Sequence, residues 1–316
     1  MYELQQYISQ GPKDRGFRTF GGITGCWYAN RGLGMAKRSK EKEVGMQDRR
    51  SVLNVLSLGA GVQSTTMALM AAHGEIEPMP DCAIFADTGA EPQHVYDQLD
   101  MVEANVPFPV YRVMEKKGLE DAVIEGFKGN RFAGAPFYCE TDHGPGMLRR
   151  QCTNEFKIRP INRKIRELLG LEKGQRGPKD IAVSQWIGIS MDEVIRMRPH
   201  QTKWILNRWP LVEMQMYRYD CVRWMDEHGF EEPKKSACYF CPYMPNTQWQ
   251  DMKDHDPESF EKAVKMDELI RPGVRKDKKE RLFLHRSMKP VKDCDFDPDR
   301  DQFDMFDEDC EGMCGV

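Results

Sequence analysis

Apolar and polar residues alternate in blocks from Val52 onward, and these blocks predict strands and helices in turn. Short apolar runs predict buried strands over Val52–Leu58, Cys82–Ala86, Pro109–Met114 and Ile181–Ile189. Helical spacing of apolar residues predicts helices near Ser64–His73, Gln93–Ala104, Leu119–Phe127 and Ile161–Leu169. Such alternation is typical of a mainly parallel sheet covered on both faces. The sequence therefore predicts a doubly wound α/β domain.

The flanking segments have a different pattern. Residues 1–50 are rich in glycine, lysine and arginine without sustained periodicity, which predicts a loosely ordered extension. We expect the α/β domain to span residues 51–245, with a glycine-rich loop over Lys128–Thr153. Residues 246–316 predict a helical segment that ends in an acidic tail containing cysteines.

Polar segments follow the predicted strands at one edge of the sheet. They are the segments Ser57–Thr66 and Asp87–Pro92, the stretch after Met114, and the segment Gly188–Arg198. Ligands of open parallel sheets bind beyond the carboxyl ends of the strands. We therefore expect these segments to face one crevice.

The segment Ser57–Thr66 joins a buried strand to a hydroxyl-rich helix start through two glycines. Gly59 and Gly61 allow a tight turn and a close approach of the backbone to a ligand. Amide groups at the start of the helix would then point at an anion. This pattern predicts a phosphate site, and an ordinary strand–turn–helix is the alternative.

Composition narrows the class of protein. The 316-residue chain has a net charge of −4 and a sequence pI near 6.0, which argues against a generally basic nucleic-acid coat. We find no apolar run of bilayer-spanning length and no secretion signal pattern, so we expect no membrane partner. Ten cysteines without such a signal favour metal or thiol chemistry in a reducing compartment, and we expect a cytoplasmic protein.

The pair Cys238-x-x-Cys241 predicts a tight loop whose two thiolates meet one metal centre. Soft thiolates suit zinc or an iron–sulfur cluster. Cys139 lies in the glycine-rich loop and is a candidate further ligand. Buried cysteines without a metal are the alternative interpretation.

Taken in order, five motifs resemble those of the PP-loop superfamily, and most closely the phosphoadenylylsulfate (PAPS) and adenylylsulfate reductase family. They are Ser57-x-Gly59-x-Gly61-x-Gln63-Ser64, Asp87-Thr88-Gly89 with Pro92, Cys152 with Lys157 and Pro160, Gly188-Ile189 with Glu193 and Arg196 or Arg198, and Cys238-x-x-Cys241. The resemblance runs over roughly Val52 to Pro242. It implies an adenine nucleotide α-hydrolase-like fold.

The resemblance also implies a site. ATP or another adenine nucleotide, with Mg²⁺ as an option, would be bound by Ser57, Gly59, Ala60, Gly61, Gln63, Ser64, Thr65, Asp87, Thr88, Gly89, Gly188, Glu193, Arg196 and Arg198. Arg149 and Arg150 would bind phosphate or sulfate oxygens. Cys139, Cys152, Cys238 and Cys241 would hold a [4Fe-4S] cluster, with zinc as the alternative. The implied catalytic residues are Cys310, Cys314 and Lys157.

Three departures from the family keep several functions open. Ser190 stands where the family has arginine, Gln151-Cys152 replaces a vicinal cysteine pair, and the tail lacks the family's histidine. The first expectation is sulfonucleotide reduction or sulfur transfer with a thiol donor. The alternatives are an ATP pyrophosphatase that adenylates a nucleic acid or small molecule for thiolation, and a non-catalytic nucleotide- or nucleic-acid-binding module. A homodimer is also open at this point.

Overall fold

A computed structural model of the chain describes residues 52–129, 134–142, 144–273 and 280–297. They belong to one compact unit that begins at Arg49. The predicted extension over residues 1–50 lies outside the described residues. The tail thiols Cys310 and Cys314 also lie outside them.

Eight strands are present in the described part of the chain: β1 (Leu53–Leu58), β2 (Cys82–Asp87), β3 (Val110–Met114), β4 (Tyr138–Thr141), β5 (Gly144–Met147), β6 (Val183–Ile187), β7 (Ile205–Arg208) and β8 (Arg281–Phe283). Five of them form a parallel sheet in the order β3-β2-β1-β6-β7. At its centre, Leu56 of β1 lies beside Ala83 of β2 and Trp186 of β6. The predicted α/β fold with a mainly parallel sheet is confirmed.

The α-helices of the described residues are α1 (Val62–Ala72), α2 (Gln93–Asn105), α3 (Leu119–Phe127), α4 (Arg159–Leu168), α5 (Pro210–Glu213), α6 (Arg218–Glu227), α7 (Asn246–His255) and α8 (Pro257–Ile270). A π-helical segment, Thr153–Ile158, leads directly into α4. Short 3₁₀ segments lie at Met191–Arg196 and Val291–Asp293.

Both faces of the parallel sheet are covered, because alternate residues of each strand point to opposite faces. On one face, Leu56 and Trp186 pack with Met67 of α1 and Trp224 of α6. On the other face, Val55 packs with residues of α4 and the neighbouring strands, including Ile84, Ile161, Ile165 and Ile187. These two apolar layers make the domain doubly wound.

A second sheet is antiparallel and has the order β5-β4-β8; its strands β4 and β5 lie within the predicted loop Lys128–Thr153. Sequence pattern alone does not indicate these strands, because β5 reads Gly-Pro-Gly-Met and lacks branched residues. β4 is held by pairing with β8, in which Cys139 lies opposite Leu282. A third apolar cluster joins this sheet to α3, α7 and α8. This cluster combines residues from both sides of position 245, where the sequence predicts the end of the α/β domain.

The strand order places a switch point beside β1. The chain runs outward through β2 and β3 on one side of β1, then returns to β6 and β7 on the other side. The loops after β1 and β6 therefore start from adjacent strands and then diverge. Ligands of doubly wound sheets bind between two such loops. None of the helices in the described ranges is long and apolar enough to cross a membrane.

Candidate functional site

The loop after β1 is closed by its own backbone and one hydroxyl. The Gly59 amide donates to Ser64 Oγ over 3.1 Å, and Ser64 Oγ in turn lies 3.3 Å from the Gly61 carbonyl oxygen. The left-handed residue of the turn is Ala60, with φ of +57°, and Gly61 has φ of −95°. The tight turn is thus made at an alanine, in a conformation that costs energy for any residue with a Cβ.

The start of α1 presents a set of main-chain donors. The first hydrogen bond at this end of α1 runs from the Thr65 amide to the Gly61 carbonyl, over 3.0 Å. Among the described residues, no acceptor receives the amides that precede it, those of Ala60, Gly61, Val62, Gln63 and Ser64. Unbonded amides at a helix start, together with the helix dipole, favour an anion. We call residues 59–64 the amide loop.

The end of β6 lies directly against the amide loop. A Cβ added to Gly188 would lie 2.8 Å from the Ser64 nitrogen, so a side chain is excluded there. The Gln63 side-chain amide lies 3.4 Å from both Ser190 Oγ and Glu193 Oε2, and Glu193 forms an ion pair with Arg196. The structure therefore brings these predicted residues together.

Other predicted residues of the nucleotide set are engaged differently. Ser57 Oγ accepts a hydrogen bond from Gln185 Nε2 over 2.7 Å and so joins β1 to β6 inside the sheet. Thr65 is fully buried. The Arg198 guanidinium is exposed and donates to the carbonyls of Ile195 and Met197. Arg198 therefore closes its own turn.

The turn after β2 is shaped by Asp87. Its Oδ1 accepts from the Gly89 amide over 2.7 Å and from the Tyr96 hydroxyl over 3.0 Å. Gly89 has φ of +69°, and a Cβ there would lie 3.2 Å from Gly118 Cα. Burial, followed by the Asp87 carboxylate, raises the pKa of Tyr96. Asp87 thus holds a turn that only glycine fits.

A cavity next to this turn contains three of the four predicted cysteine ligands. We call it the thiol cavity, and its lining includes Thr88, Arg150, Cys152, Lys157, Cys238, Cys241 and Tyr243. Arg150 Nε donates to Thr153 Oγ1 over 3.0 Å, and its guanidinium lies 5.2 Å from the centre of the Tyr243 ring. Arg149, by contrast, is exposed.

Cys139 is not one of the residues that line the thiol cavity, although it belongs to the same apolar cluster as the three cysteines that do. It is a buried residue of β4, and its Sγ would lie 3.3 Å from a Cβ added to Gly146 of β5. Burial and then the nearby Glu280 carboxylate raise the pKa of Cys139. In type, the thiols of Cys152, Cys238 and Cys241 fit a zinc ion or an iron–sulfur cluster. The cavity lining therefore supplies three thiols, one fewer than the four predicted cysteine ligands.

Cys238 lies among buried charged groups. Its Sγ is 3.3 Å from Thr88 Oγ1 and 3.9 Å from Glu91 Oε1, and Lys157 Nζ is 3.8 Å from the same carboxylate oxygen. Lys157 and Glu91 are only 6 % and 8 % exposed. Burial, then Glu91, raises the pKa of Cys238 well above its ordinary value, whereas Lys157 and Thr88 act in the opposite direction. Cys238 thus lies directly beside a buried ion pair.

The segment that contains Cys238 also contacts the amide loop. Ser236 Oγ donates to the Gly59 carbonyl over 2.6 Å, and the Tyr239 amide donates to the Ala90 carbonyl over 3.0 Å. The amide loop and the thiol cavity are therefore neighbours at one edge of the sheet. Glu91 and Ser236 were not singled out by sequence reasoning, because neither belongs to a motif with a distinctive spacing.

Comparisons with known proteins give a distant match. No protein-family model and no curated protein match the chain. Among solved structures, it is similar to a crystal structure of phosphoadenylyl-sulfate (PAPS) reductase from Candida auris in a phosphate complex, at 13% sequence identity and a TM-score of 0.39. The match covers 58% of this chain and 76% of that chain. The fold class rests on the strand order of the chain itself.

Proposed function

We propose that the chain is an enzyme that binds an adenine nucleotide at the amide loop and carries out sulfur chemistry beside the thiol cavity. The observation that carries this proposal is the run of unbonded amides from Ala60 to Ser64 at the switch point of the sheet. Main-chain donors in that position suit the oxygens of a phosphate. The absence of a side chain at Gly188 allows the end of β6 to lie directly against the Ser64 amide.

The neighbouring side chains support a reaction in which negative charge develops. Arg150 lines the thiol cavity beside Cys152, and its guanidinium can stabilise oxygens that gain charge as a phosphoanhydride or sulfur–oxygen bond breaks. The Lys157 ammonium lies 3.8 Å from Glu91 Oε1 and lowers the pKa of Cys238, in opposition to burial. Cys241 is only half-buried and is the more accessible thiol of the pair.

We propose further that Cys152, Cys238 and Cys241 hold a [4Fe-4S] cluster, with zinc as the alternative. When bound, a cluster would supply electrons to the site. The tail thiols Cys310 and Cys314 remain our proposed sulfur nucleophiles.

A second function is favoured by Ser190. This residue is fully buried, and its hydroxyl lies 3.4 Å from Gln63 Nε2, at the position where the reductases that the sequence resembles carry arginine. A serine supplies no charge for a sulfate group. The second candidate is therefore an ATP pyrophosphatase that adenylates a nucleic acid or small molecule before thiolation.

Anaerobic purification followed by product analysis tests both functions. Sulfite release from a sulfonucleotide in the presence of a thiol would select the reductase, whereas AMP and pyrophosphate release from ATP would select the pyrophosphatase. We expect Cys152→Ser to lower turnover at least about tenfold. The control is Cys221→Ala, which removes a buried thiol from the apolar cluster around α1, and we expect it to retain wild-type turnover. Nucleotide binding without turnover would select the non-catalytic module, and absence of nucleotide binding would refute the proposal.

A further inference from the structure

Three potential metal ligands lie together at the opposite end of α1 from the amide loop. They are His73, Glu75 and His228, whose ligand atoms all lie within 4.8 Å of one another. His228 Nε2 is 3.8 Å from Glu75 Oε1. Ligands bound to zinc at 2.0–2.2 Å in a tetrahedron are about 3.4 Å apart, so only small side-chain movements separate this arrangement from a coordinated one.

Two hydrogen bonds orient the ligands. His228 Nδ1 lies 2.7 Å from the Trp224 carbonyl oxygen, which can only accept, so Nδ1 donates this hydrogen bond and Nε2 is the ring nitrogen that faces Glu75 and is available to a metal. The Trp224 Nε1–H group donates to both oxygens of Glu75, over 2.9 and 3.1 Å. Supporting contacts of this kind fix the tautomer and the carboxylate of metal-binding groups.

The main chain contributes a favourable field at the same point. His73 is the C-cap residue of α1, and His228 is the C-cap residue of α6. Carbonyl groups at the ends of helices carry partial negative charge and favour a cation nearby. The His228 ring also stacks on Trp224 at a centroid distance of 3.9 Å, which limits its movement.

We propose that His73, Glu75 and His228 form a binding site for a divalent transition metal ion of the zinc type. All three residues are exposed, which leaves the remaining coordination positions open to water. Bound metal would connect the end of α1 to the end of α6. This site is separate from the proposed nucleotide chemistry, and neither proposal depends on the other.

The test must separate imidazole ligands from cysteine ligands. Metal-free protein is titrated with Zn²⁺ by calorimetry and with Co²⁺ by absorption, since thiolate ligands of Co²⁺ give intense near-ultraviolet bands and imidazole or carboxylate ligands do not. We expect one equivalent bound without those bands. Affinity for that equivalent should fall at least tenfold in His73→Ala and in His228→Ala.

The matched control is His255→Ala. His255 is an exposed histidine that pairs with one carboxylate, Asp251, over 3.0 Å, and we expect this variant to keep the wild-type affinity. His228→Gln, checked by circular dichroism, covers the case in which the alanine variant fails to fold. Wild-type affinity in the folded His73 and His228 variants, or binding of thiolate type only, would overturn the site. ATP titration of the same variants distinguishes failure of this proposal from failure of the nucleotide proposal.

Discussion

The amide loop and the thiol cavity lie side by side at one edge of the sheet, but they are built from different parts of the chain. The loop is one continuous segment whose donors are main-chain amides. The cavity combines side chains from the turn after β2, the π-helical segment and the segment around Cys238. A main-chain site is specified by local sequence, whereas the cavity exists only because distant segments pack together.

Loss of the buried charge at Lys157 should have the largest effect. We expect Lys157→Met to lower the free energy of unfolding by about 3 kcal/mol, because Glu91 is left as an unpaired buried charge. It should also raise the pKa of Cys238 further, since Lys157 is the cation that opposes burial there. Urea denaturation and the pH dependence of thiol alkylation measure the two effects.

Lys262→Met is the matched control for this variant. Lys262 forms an ion pair with Glu258 on the surface of α8, over 2.8 Å, and such pairs contribute less than about 1 kcal/mol. Equal losses of unfolding free energy in Lys157→Met and Lys262→Met would show that the buried ion pair contributes no more to stability than a surface pair.

Cys82 provides a comparison with a buried thiol outside the cavity. Burial in β2, followed by Asp81, raises the pKa of Cys82 from 9.0 to about 12, with Lys164 opposing. Above pH 9 the unfolded chain releases this proton and the folded chain keeps it, so stability falls as pH rises toward 12. Relative to Cys82→Ala, the wild-type protein should lose up to about 1.4 kcal/mol per pH unit between pH 9 and 11. If the difference in unfolding free energy between the wild-type protein and Cys82→Ala is the same at about pH 9 and at about pH 11, the raised pKa of Cys82 is wrong.

A side chain at position 188 should disturb the amide loop. In Gly188→Ala the new Cβ would lie 2.8 Å from the Ser64 nitrogen, so the first turn of α1 must shift. We expect nucleotide affinity to fall at least about tenfold, equivalent to about 1.4 kcal/mol. Equilibrium titration measures the loss. Unchanged affinity would place the nucleotide elsewhere.

The smallest effect is expected at Ala60. Its φ of +57° is strained for alanine and unstrained for glycine. The gain is offset in part by the greater freedom of glycine in the unfolded chain, so Ala60→Gly should stabilise the protein by less than about 1 kcal/mol. Thermal unfolding measures this change, and clear destabilisation would show that the turn is not strained.

Sequence reasoning succeeded where the determinants are local. The strands β1, β2 and β3 have strong apolar runs, and their predicted bounds agree with the structure to within one residue. It missed β4 and β5, because β4 pairs with the distant strand β8 and β5 consists of residues of low strand propensity. Glu91 was missed for a related reason: its importance comes from burial beside Lys157, which no local pattern reports.

The burial of α1 has a consequence for the dynamics of the protein. Every residue from Val62 to Ala71 is buried, so this helix has no solvated face. From Thr65 onward, where its amides are hydrogen-bonded, the peptide hydrogens can therefore exchange with deuterium only when a large part of the domain opens, and they should rank among the slowest in the protein. A ligand held at the beginning of this helix would protect the whole domain against unfolding rather than one edge of it.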